Sequence, residues 1–532
     1  MAEVLQALGV GFLHVFAPAN LLALFIGLVL GLLVALLPGL TLVMGVVLAL
    51  PFTYTMDVTA AIILLTAMYV AGTYAGAWTS ILFHVPGEPI DVPLLWDGYA
   101  MARKGEAAKA LGWTLTAALV GGLGAAVVMV AIAQPVARVA LTFSTPEYFA
   151  IIFFGLASVV SLGGASLANA LISLLAGLLI ATVGVDDTYG AHRFTFGVPI
   201  LSDGIDYLVV MVGAFGLGEI FVRMEQRFRS MPLQAVDGVS TRLPSWREAG
   251  AVKGTYARGT ALGIVIGLVP GAGATVASFL SYGVEAQYGK RKREMGSGIP
   301  EGIVAPQTAA TSSVGGAMIP LMTMGIPGSG ATAIIMGAFL LHGLQPGPQV
   351  FETSREIVYA VFASIFVSVV GMCVIGYFAA RYLVRVLELP EVIISAYVVM
   401  CCILGAFAAR NNITDVWLMV VFGIIGYLCE RWRFPIAPLV LGVILGPLAE
   451  TNFMTTMISF GNDWTVFFTR PVSGTIMAIG LLTIFYPILR QLRKRGQDPF
   501  SGTQPGERLD LAVRALDLHL RAVGDASPCR RC

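Results

Sequence analysis

Apolar stretches of about twenty residues, the length that crosses a bilayer as helix, recur along almost the whole chain, and basic residues gather in a few short clusters between groups of them. They cover residues 21–50, 60–82, 112–133, 149–183, 207–222, 359–383, 392–409, 416–428 and 476–489. No lysine or arginine precedes Arg103. Basic residues then gather at Arg103, Lys104 and Lys109, from Arg223 to Arg258, from Lys290 to Arg293 and from Arg490 to Arg495. With 57% hydrophobic and 12% charged residues, against about 25% charged in a soluble domain, a chain in water would have to hide more apolar surface than its volume allows. Lipid as solvent removes that difficulty. The expectation is an all-α, polytopic membrane protein of about 12 segments. A net charge of +1 gives no field for nucleic acid.

The positive-inside rule puts the basic clusters on the cytoplasmic side. The expected organisation is a first membrane repeat over 1–222, a cytoplasmic basic loop over 223–258, a second membrane repeat over 259–490 and a soluble cytoplasmic tail over 491–532. The N-terminus lacks the basic start of a secretory signal, and its apolar beginning reads as an interfacial or first membrane helix. In the tail, Leu509, Val513, Leu516 and Leu520 fall on one face of a short amphipathic helix. Cys529 and Cys532 make a C-x-x-C that supplies only half of a tetrahedral metal site.

An internal repeat underlies the membrane part. Gly27, Gly31, Leu36, Pro38 and Gly39 recur at identical spacing as Gly259, Gly263, Leu268, Pro270 and Gly271. Each copy is followed by a small-residue segment, Gly72–Gly76 or Gly315-Gly316-Ala317, then an apolar run and a second Pro-Gly, at Pro86-Gly87 or Pro327-Gly328. Proline removes a backbone donor and glycine admits positive φ, so Pro-Gly breaks a helix. Two halves with such interrupted segments point to a binding site near the membrane midplane. Half-helices starting after these breaks would present free N–H groups and positive dipole ends, which favour a carboxylate.

The candidate substrate- or ion-binding residues follow from that pattern. They are Pro38, Gly39 and Thr41; Gly76, Thr79, Ser80, His84, Pro86 and Gly87; Pro270, Gly271, Gly273 and Thr275; and Gln307, Thr311, Ser312, Gly315, Gly316, Pro327, Gly328, Ser329 and Thr332. The hydroxyls could add donors to an anion or oxygens to a coupling cation. The uncharged run 306–313 suits either a dianion or helix–helix hydrogen bonding. His84 can be a packing residue or carry a proton. Glu88 and Asp91 read as an interfacial loop.

Only residues 259–289 separate two basic clusters. They form either a re-entrant pair of half-helices with its tip at Pro270-Gly271 or one spanning helix kinked at Pro270. The first keeps both basic flanks on one side.

These blocks, with Pro438-Leu439-Val440-Leu441-Gly442, Leu445-Gly446-Pro447, Glu450 and Arg470-Pro471, resemble the large membrane subunit of the tripartite tricarboxylate transporters, the TctA family, from about Ala19 to about Leu489. The resemblance implies a secondary transporter of the bacterial inner membrane that imports citrate or other small carboxylates. It implies a cation gradient, Na⁺ or H⁺, as the driving force and no other cofactor. It also implies an inverted repeat, a periplasmic solute-binding protein and a small four-helix membrane subunit as partners. The chain departs from the family pattern at Tyr74-Ala75-Gly76-Ala77, at His84 and at Pro306-Gln307-Thr308-Ala309-Ala310-Thr311, which bears on the carboxylate carried. An intramembrane enzyme would need a nucleophile–base pair, an H-E-x-x-H or paired acidic metal motifs; His84-Val85-Pro86-Gly87-Glu88 is not H-E-x-x-H, Asp186-Asp187 has no second acidic motif at membrane depth, and five histidines leave little material. A channel would want a ring-forming filter, whereas a duplication favours one site per chain.

Overall fold

The computed structural model describes residues 2–37, 40–162, 166–186, 190–198, 201–225, 241–271, 273–383 and 391–495. Pro38, Gly39, the amphipathic segment of the tail, Cys529 and Cys532 lie outside them. The first half runs through α1 (Ala2–Val15), α2 (Pro18–Leu36), α3 (Leu42–Ala49), α4 (Val58–Phe83), α5 (Leu94–Met101), α6 (Ala107–Ala140), α7 (Thr145–Leu162) and α8 (Leu167–Ala181). It ends on α9 (Tyr207–Met211) and α10 (Gly218–Glu225), joined by a π-helical turn. A short α11 (Trp246–Ala251) leads into α12 (Lys253–Gly267), α13 (Gly273–Tyr288), α14 (Pro300–Met324), α15 (Gly330–Leu341) and α16 (Val350–Thr353). Then come α17 (Arg355–Leu383), α18 (Glu391–Arg410), α19 (Ile413–Arg431), α20 (Ile436–Ser459), α21 (Val466–Thr469) and α22 (Pro471–Arg495). A two-residue antiparallel pair, Gly184–Val185 with His192–Arg193, is the only sheet among the described residues.

Seven of the described helices are long and apolar enough to cross a membrane, and shorter apolar helices fill the space between them. The expected all-α polytopic fold is thus the observed one. The chain falls into two units, residues 1–481 and residues 482–532; of the second, the end of α22 is described.

Glycines set how closely the helices approach. A Cβ on Gly31 would lie 2.5 Å from Met68 O of α4, and Gly27 seats on Leu64 of the same helix. In the second half Gly263 seats on Ala309 of α14, and a Cβ on Gly267 would lie 2.5 Å from Ser313 O. So α2 lies along α4 as α12 lies along α14, by the small-residue contact that lets membrane helices pack without a hydrophobic drive.

Helices α12 and α13 form a hairpin. At its open end Arg258 donates to Glu285, Nη2 to Oε2 at 2.7 Å and Nε to Oε2 at 3.2 Å, and the Thr255 hydroxyl donates to Glu285 Oε1 at 3.1 Å. At 1.5 Å per residue α12 is about 22 Å long, short of a full crossing. The re-entrant reading of residues 259–289 is therefore the structure; a single spanning helix would carry Glu285 far from Arg258. Helices α2 and α3 fold back likewise, Gly45 packing on Val34. The two hairpins enter from opposite faces. The open end of α12–α13 lies with the basic segments, where Lys104 Nζ donates to Ser297 O at 2.6 Å. The α2–α3 end leads to Thr53 and Asp57, which face His342 at the far end of α15. The repeat is inverted.

The halves also exchange helices. α6 of the first lies along α12 and α14 of the second, and α17 lies along α2 and α4. Outside this centre, α20 packs on α7 and α8, and α19 packs on α10 and its π-turn. α1 lies across the start of α17: its Glu3 carbonyl accepts from Arg355 at 3.4 Å and its His14 faces Glu356 at 3.7 Å.

Candidate functional site

The residue-level symmetry of the two halves appears at the second Pro-Gly of each. A Cβ on Gly87 would lie 2.6 Å from Gly76 Cα and 2.8 Å from Ala35 O. A Cβ on Gly328 would lie 2.7 Å from Ala317 Cα and 2.7 Å from Gly267 O. Each break thus crosses over the equivalent pair of helices of its own half, α2 with α4 or α12 with α14, at the same level, and only glycine permits the approach. In this register Glu88 and Asp91 correspond to Ser329 and Thr332.

Both pairs form capping boxes. Glu88 accepts from the Asp91 N–H while the Asp91 carboxylate takes the Glu88 N–H at 3.1 Å. Ser329 accepts from the Thr332 N–H while Thr332 Oγ1 takes the Ser329 N–H at 2.7 Å. This reciprocal geometry satisfies donors that a helix start leaves open. One half does it with carboxylates, the other with hydroxyls.

Three of the breaks and the start of α3 converge. The Leu42 N–H at the start of α3 donates to Glu88 Oε1 at 2.5 Å. Gly271 donates its N–H to Gly328 O at 3.1 Å, so the tip of α12–α13 is bonded to the break before α15. Between halves, the Tyr69 and Ser329 hydroxyls are 3.0 Å apart and Ser278 Oγ donates to Ile90 O at 2.7 Å. Where α4 and α14 cross, Gln307 Nε2 donates to Thr73 O at 3.0 Å and to Thr311 Oγ1 at 3.1 Å. Gln307 is 1% exposed, and its Oε1 has no protein partner.

Other candidates take up simpler positions. Thr41 caps α3 by accepting from the Met44 N–H at 3.2 Å. The Thr79 hydroxyl donates to Gly76 O at 2.9 Å, and Ser80 Oγ is buried without a protein partner. Pro86 is half-buried and Pro270 and Pro327 are buried at the breaks. Gly273, with φ +59°, faces Ser329, and Thr275 is half-buried in the first turn of α13. Ser312 Oγ donates to Ala309 O at 3.2 Å. Gly315 packs on Ala125 of α6 and Gly316 on Ile264 of α12, both as helix contacts. His84 is exposed, left-handed at φ 57°, and its ring lies 4.2 Å from that of Tyr99; it ends α4 and does not join the convergence.

Glu88 and Asp91 do not form an interfacial loop. Asp91 is 1% exposed and packed on Gly76, and Glu88 reaches the start of α3. The Pro-Gly alignment, extended by four residues, is the signal that pairs them with Ser329 and Thr332. Asp97, in contrast, is structural. It is fully buried and accepts from Tyr282 Oη, Gly296 N, Gly298 N and Ile299 N at 2.8–3.0 Å, which holds the loop before α14.

The arrangement gathers hydroxyls, one amide and the Glu88 and Asp91 carboxylates around a meeting of broken helices, with no lysine or arginine on α2, α3, α4, α13, α14 or α15. Among the described residues no cluster of three or more His, Cys, Asp or Glu could hold a metal ion.

Comparison with known proteins agrees with the architecture. The family described as "Tripartite tricarboxylate transporter TctA family" matches residues 21–441. An uncharacterized 52.8 kDa protein in the TAR-I ttuC' 3'region of Agrobacterium vitis is 34% identical over 501 residues, 94% of this chain and 99% of the relative. A second, in the TAR-II ttuC' 3'region of the same organism, is 33% identical over 238 residues, 45% of this chain and 98% of that protein. No solved structure matches.

Proposed function

The chain belongs to the tripartite tricarboxylate transporter TctA family, and from that premise we propose that it imports small di- or tricarboxylates across the bacterial inner membrane. In this reading a periplasmic solute-binding protein delivers the substrate, a small four-helix membrane subunit completes the complex, and a cation gradient drives uptake. The carrying observation is a layer of broken helices: the start of α3 is bonded to the break before α5 through Leu42–Glu88, the tip of α12–α13 to the break before α15 through Gly271–Gly328, and the two halves are joined there by Tyr69–Ser329, Ser278–Ile90 and Gln307–Thr73. Broken helices meeting at depth are where transporters present backbone dipoles to anionic groups. The inverted repeat supplies the symmetry that alternating access needs, since the site can open to either face by moving one half against the other. The same features support a transporter over an enzyme: the residues are suited to holding an anion and include no nucleophile–base pair.

The test is uptake. The chain would be reconstituted in liposomes with the two partner proteins. Labelled citrate, malate and succinate would then be offered with and without imposed Na⁺ or proton gradients. Gradient-dependent accumulation that requires the binding protein is expected. Absence of accumulation for every small carboxylate would remove the carboxylate assignment, and accumulation of another organic anion would replace it.

A further inference from the structure

We propose that Glu88 is the acid through which this chain couples carboxylate movement to protons: ionised, it fills the anion seat at the N-terminus of α3, and on taking a proton it yields that seat to a carboxylate of the substrate. This rests on the carboxylate-transport reading above and assigns it a coupling ion and a residue.

The seat already holds a carboxylate. Glu88 Oε1 accepts the Leu42 N–H at 2.5 Å at the first turn of the eight-residue α3, and the same carboxylate accepts the Asp91 N–H. A substrate carboxylate seeking backbone donors at this tip meets them occupied by a group of its own chemistry. The equivalent position of the other half carries the neutral Ser329. The inverted repeat has therefore placed ionisable groups, Glu88 and Asp91, at one of two matching breaks, and of the two only Glu88 bonds to the start of α3.

The groups facing Glu88 add no countercharge. From its own turn comes Asp91, bonded to the Glu88 N–H at 3.1 Å. From α4 comes Tyr69, within electrostatic range of Glu88 and bonded to Ser329. α14 and α15 contribute the uncharged Gln307, Thr311, Ser329 and Thr332, α13 contributes Ser278, and α3 contributes no titratable side chain. Arg258 is at the far end of α12, engaged by Glu285. Two ionised carboxylates competing for one seat in a medium of low dielectric repel too strongly to coexist. Entry of the substrate thus requires a proton on Glu88. It comes from water on the entry side, forms one O–H bond, and returns to water on the exit side when Glu88 reclaims the Leu42 N–H. An independent observation points to a ligand in this layer: Gln307 Oε1 is a buried acceptor without a protein partner. Its amide nitrogen is held at Thr73, one turn of α4 from Gly76, where Asp91 seats. A substrate hydroxyl or a protonated carboxyl can supply the missing donor.

The test is proton uptake on binding. The full-length chain in weakly buffered detergent solution at pH 9, free of Na⁺, is titrated with malate in the presence of a pH-indicator dye, with binding measured in parallel by calorimetry. Wild type is expected to take up about one proton per malate bound. Glu88→Asp should retain that uptake, and Glu88→Gln should lower it at least tenfold per malate bound. Malate binding to wild type without proton uptake, or only when Na⁺ is added, overturns the proposal whatever the variants do. Undiminished uptake in Glu88→Gln overturns it too. If malate, citrate and succinate all fail to bind wild type, the carboxylate reading itself falls, and this inference with it.

Discussion

Gly271 gives its backbone N–H to the carbonyl of Gly328 at 3.1 Å, so the tip of one re-entrant hairpin and the break before α15 form a single bonded unit. Gly271 has φ +81°, and a Cβ there would lie 2.7 Å from Val159 Cα. A substitution therefore meets both a disfavoured conformation, costing about 1–3 kcal/mol, and a backbone it cannot displace. Gly271→Val should cut uptake about tenfold or more while leaving the amount in the membrane near wild type. Gly328→Ala, which meets Ala317 Cα and Gly267 O, should behave alike. Uptake assays normalised by immunoblot check both; normal uptake in Gly271→Val would take the Gly271–Gly328 unit out of the mechanism.

The Arg258–Glu285 pair closes the open end of the same hairpin. Glu285 is almost fully buried and Arg258 is 40% exposed, so the cost of removing one partner falls below the 3–5 kcal/mol of a fully buried pair. With solvent screening of the arginine, Glu285→Gln should destabilise by about 2 kcal/mol and lower the thermal midpoint by a few degrees. Exchanging both residues, Arg258→Glu with Glu285→Arg, should recover part of the loss. Equal midpoints for wild type and Glu285→Gln would show that the hairpin does not depend on this pair.

The membrane fold was legible because hydrophobic length and basic punctuation are local signals, and the repeat was legible because Pro-Gly breaks keep their spacing. The hairpin was legible only as one of two paths, since its latch joins Thr255 and Arg258 to Glu285 across a fold that periodicity does not encode. Glu88 and Asp91 were misread because charges after a Pro-Gly resemble a surface loop. Only the return of the chain over Gly76 buries Asp91. His84 pointed the other way: the left-handed turn that ends α4 carries its ring to the surface beside Tyr99.

The Tyr69–Ser329 hydrogen bond is a direct polar link between the two halves at the site, at 3.0 Å. A neutral buried hydrogen bond contributes about 1 kcal/mol net, so Tyr69→Phe should lower the maximal uptake rate about fivefold if the link holds the transport-competent arrangement. Ser329→Ala should do at least as much, because it also removes the cap on Thr332. The double variant should be no worse than Ser329→Ala alone, since the two side chains share one interaction. Strictly additive losses in this cycle would mean that the residues act independently.

Asp97 separates stability from transport. Its two oxygens accept four donors, Tyr282 Oη and Gly296 N on Oδ2 and Gly298 N and Ile299 N on Oδ1. Asn at this position keeps one oxygen and turns an N–H₂ toward two of the donors, an unsatisfied arrangement costing about 3 kcal/mol. Tyr282→Phe removes one donor and leaves the other three paired, so it should cost about 1 kcal/mol. The thermal midpoint is expected to fall in the order Asp97→Asn below Tyr282→Phe below wild type, with faster amide exchange at residues 296–299 in the first. Because this loop lies at the basic face, beside Lys104 rather than at the hairpin tips, the KM for uptake should stay within about twofold of wild type in whatever protein remains folded. A large rise in KM with an unchanged midpoint would make Asp97 a substrate-contacting residue and move the anion path toward the basic face.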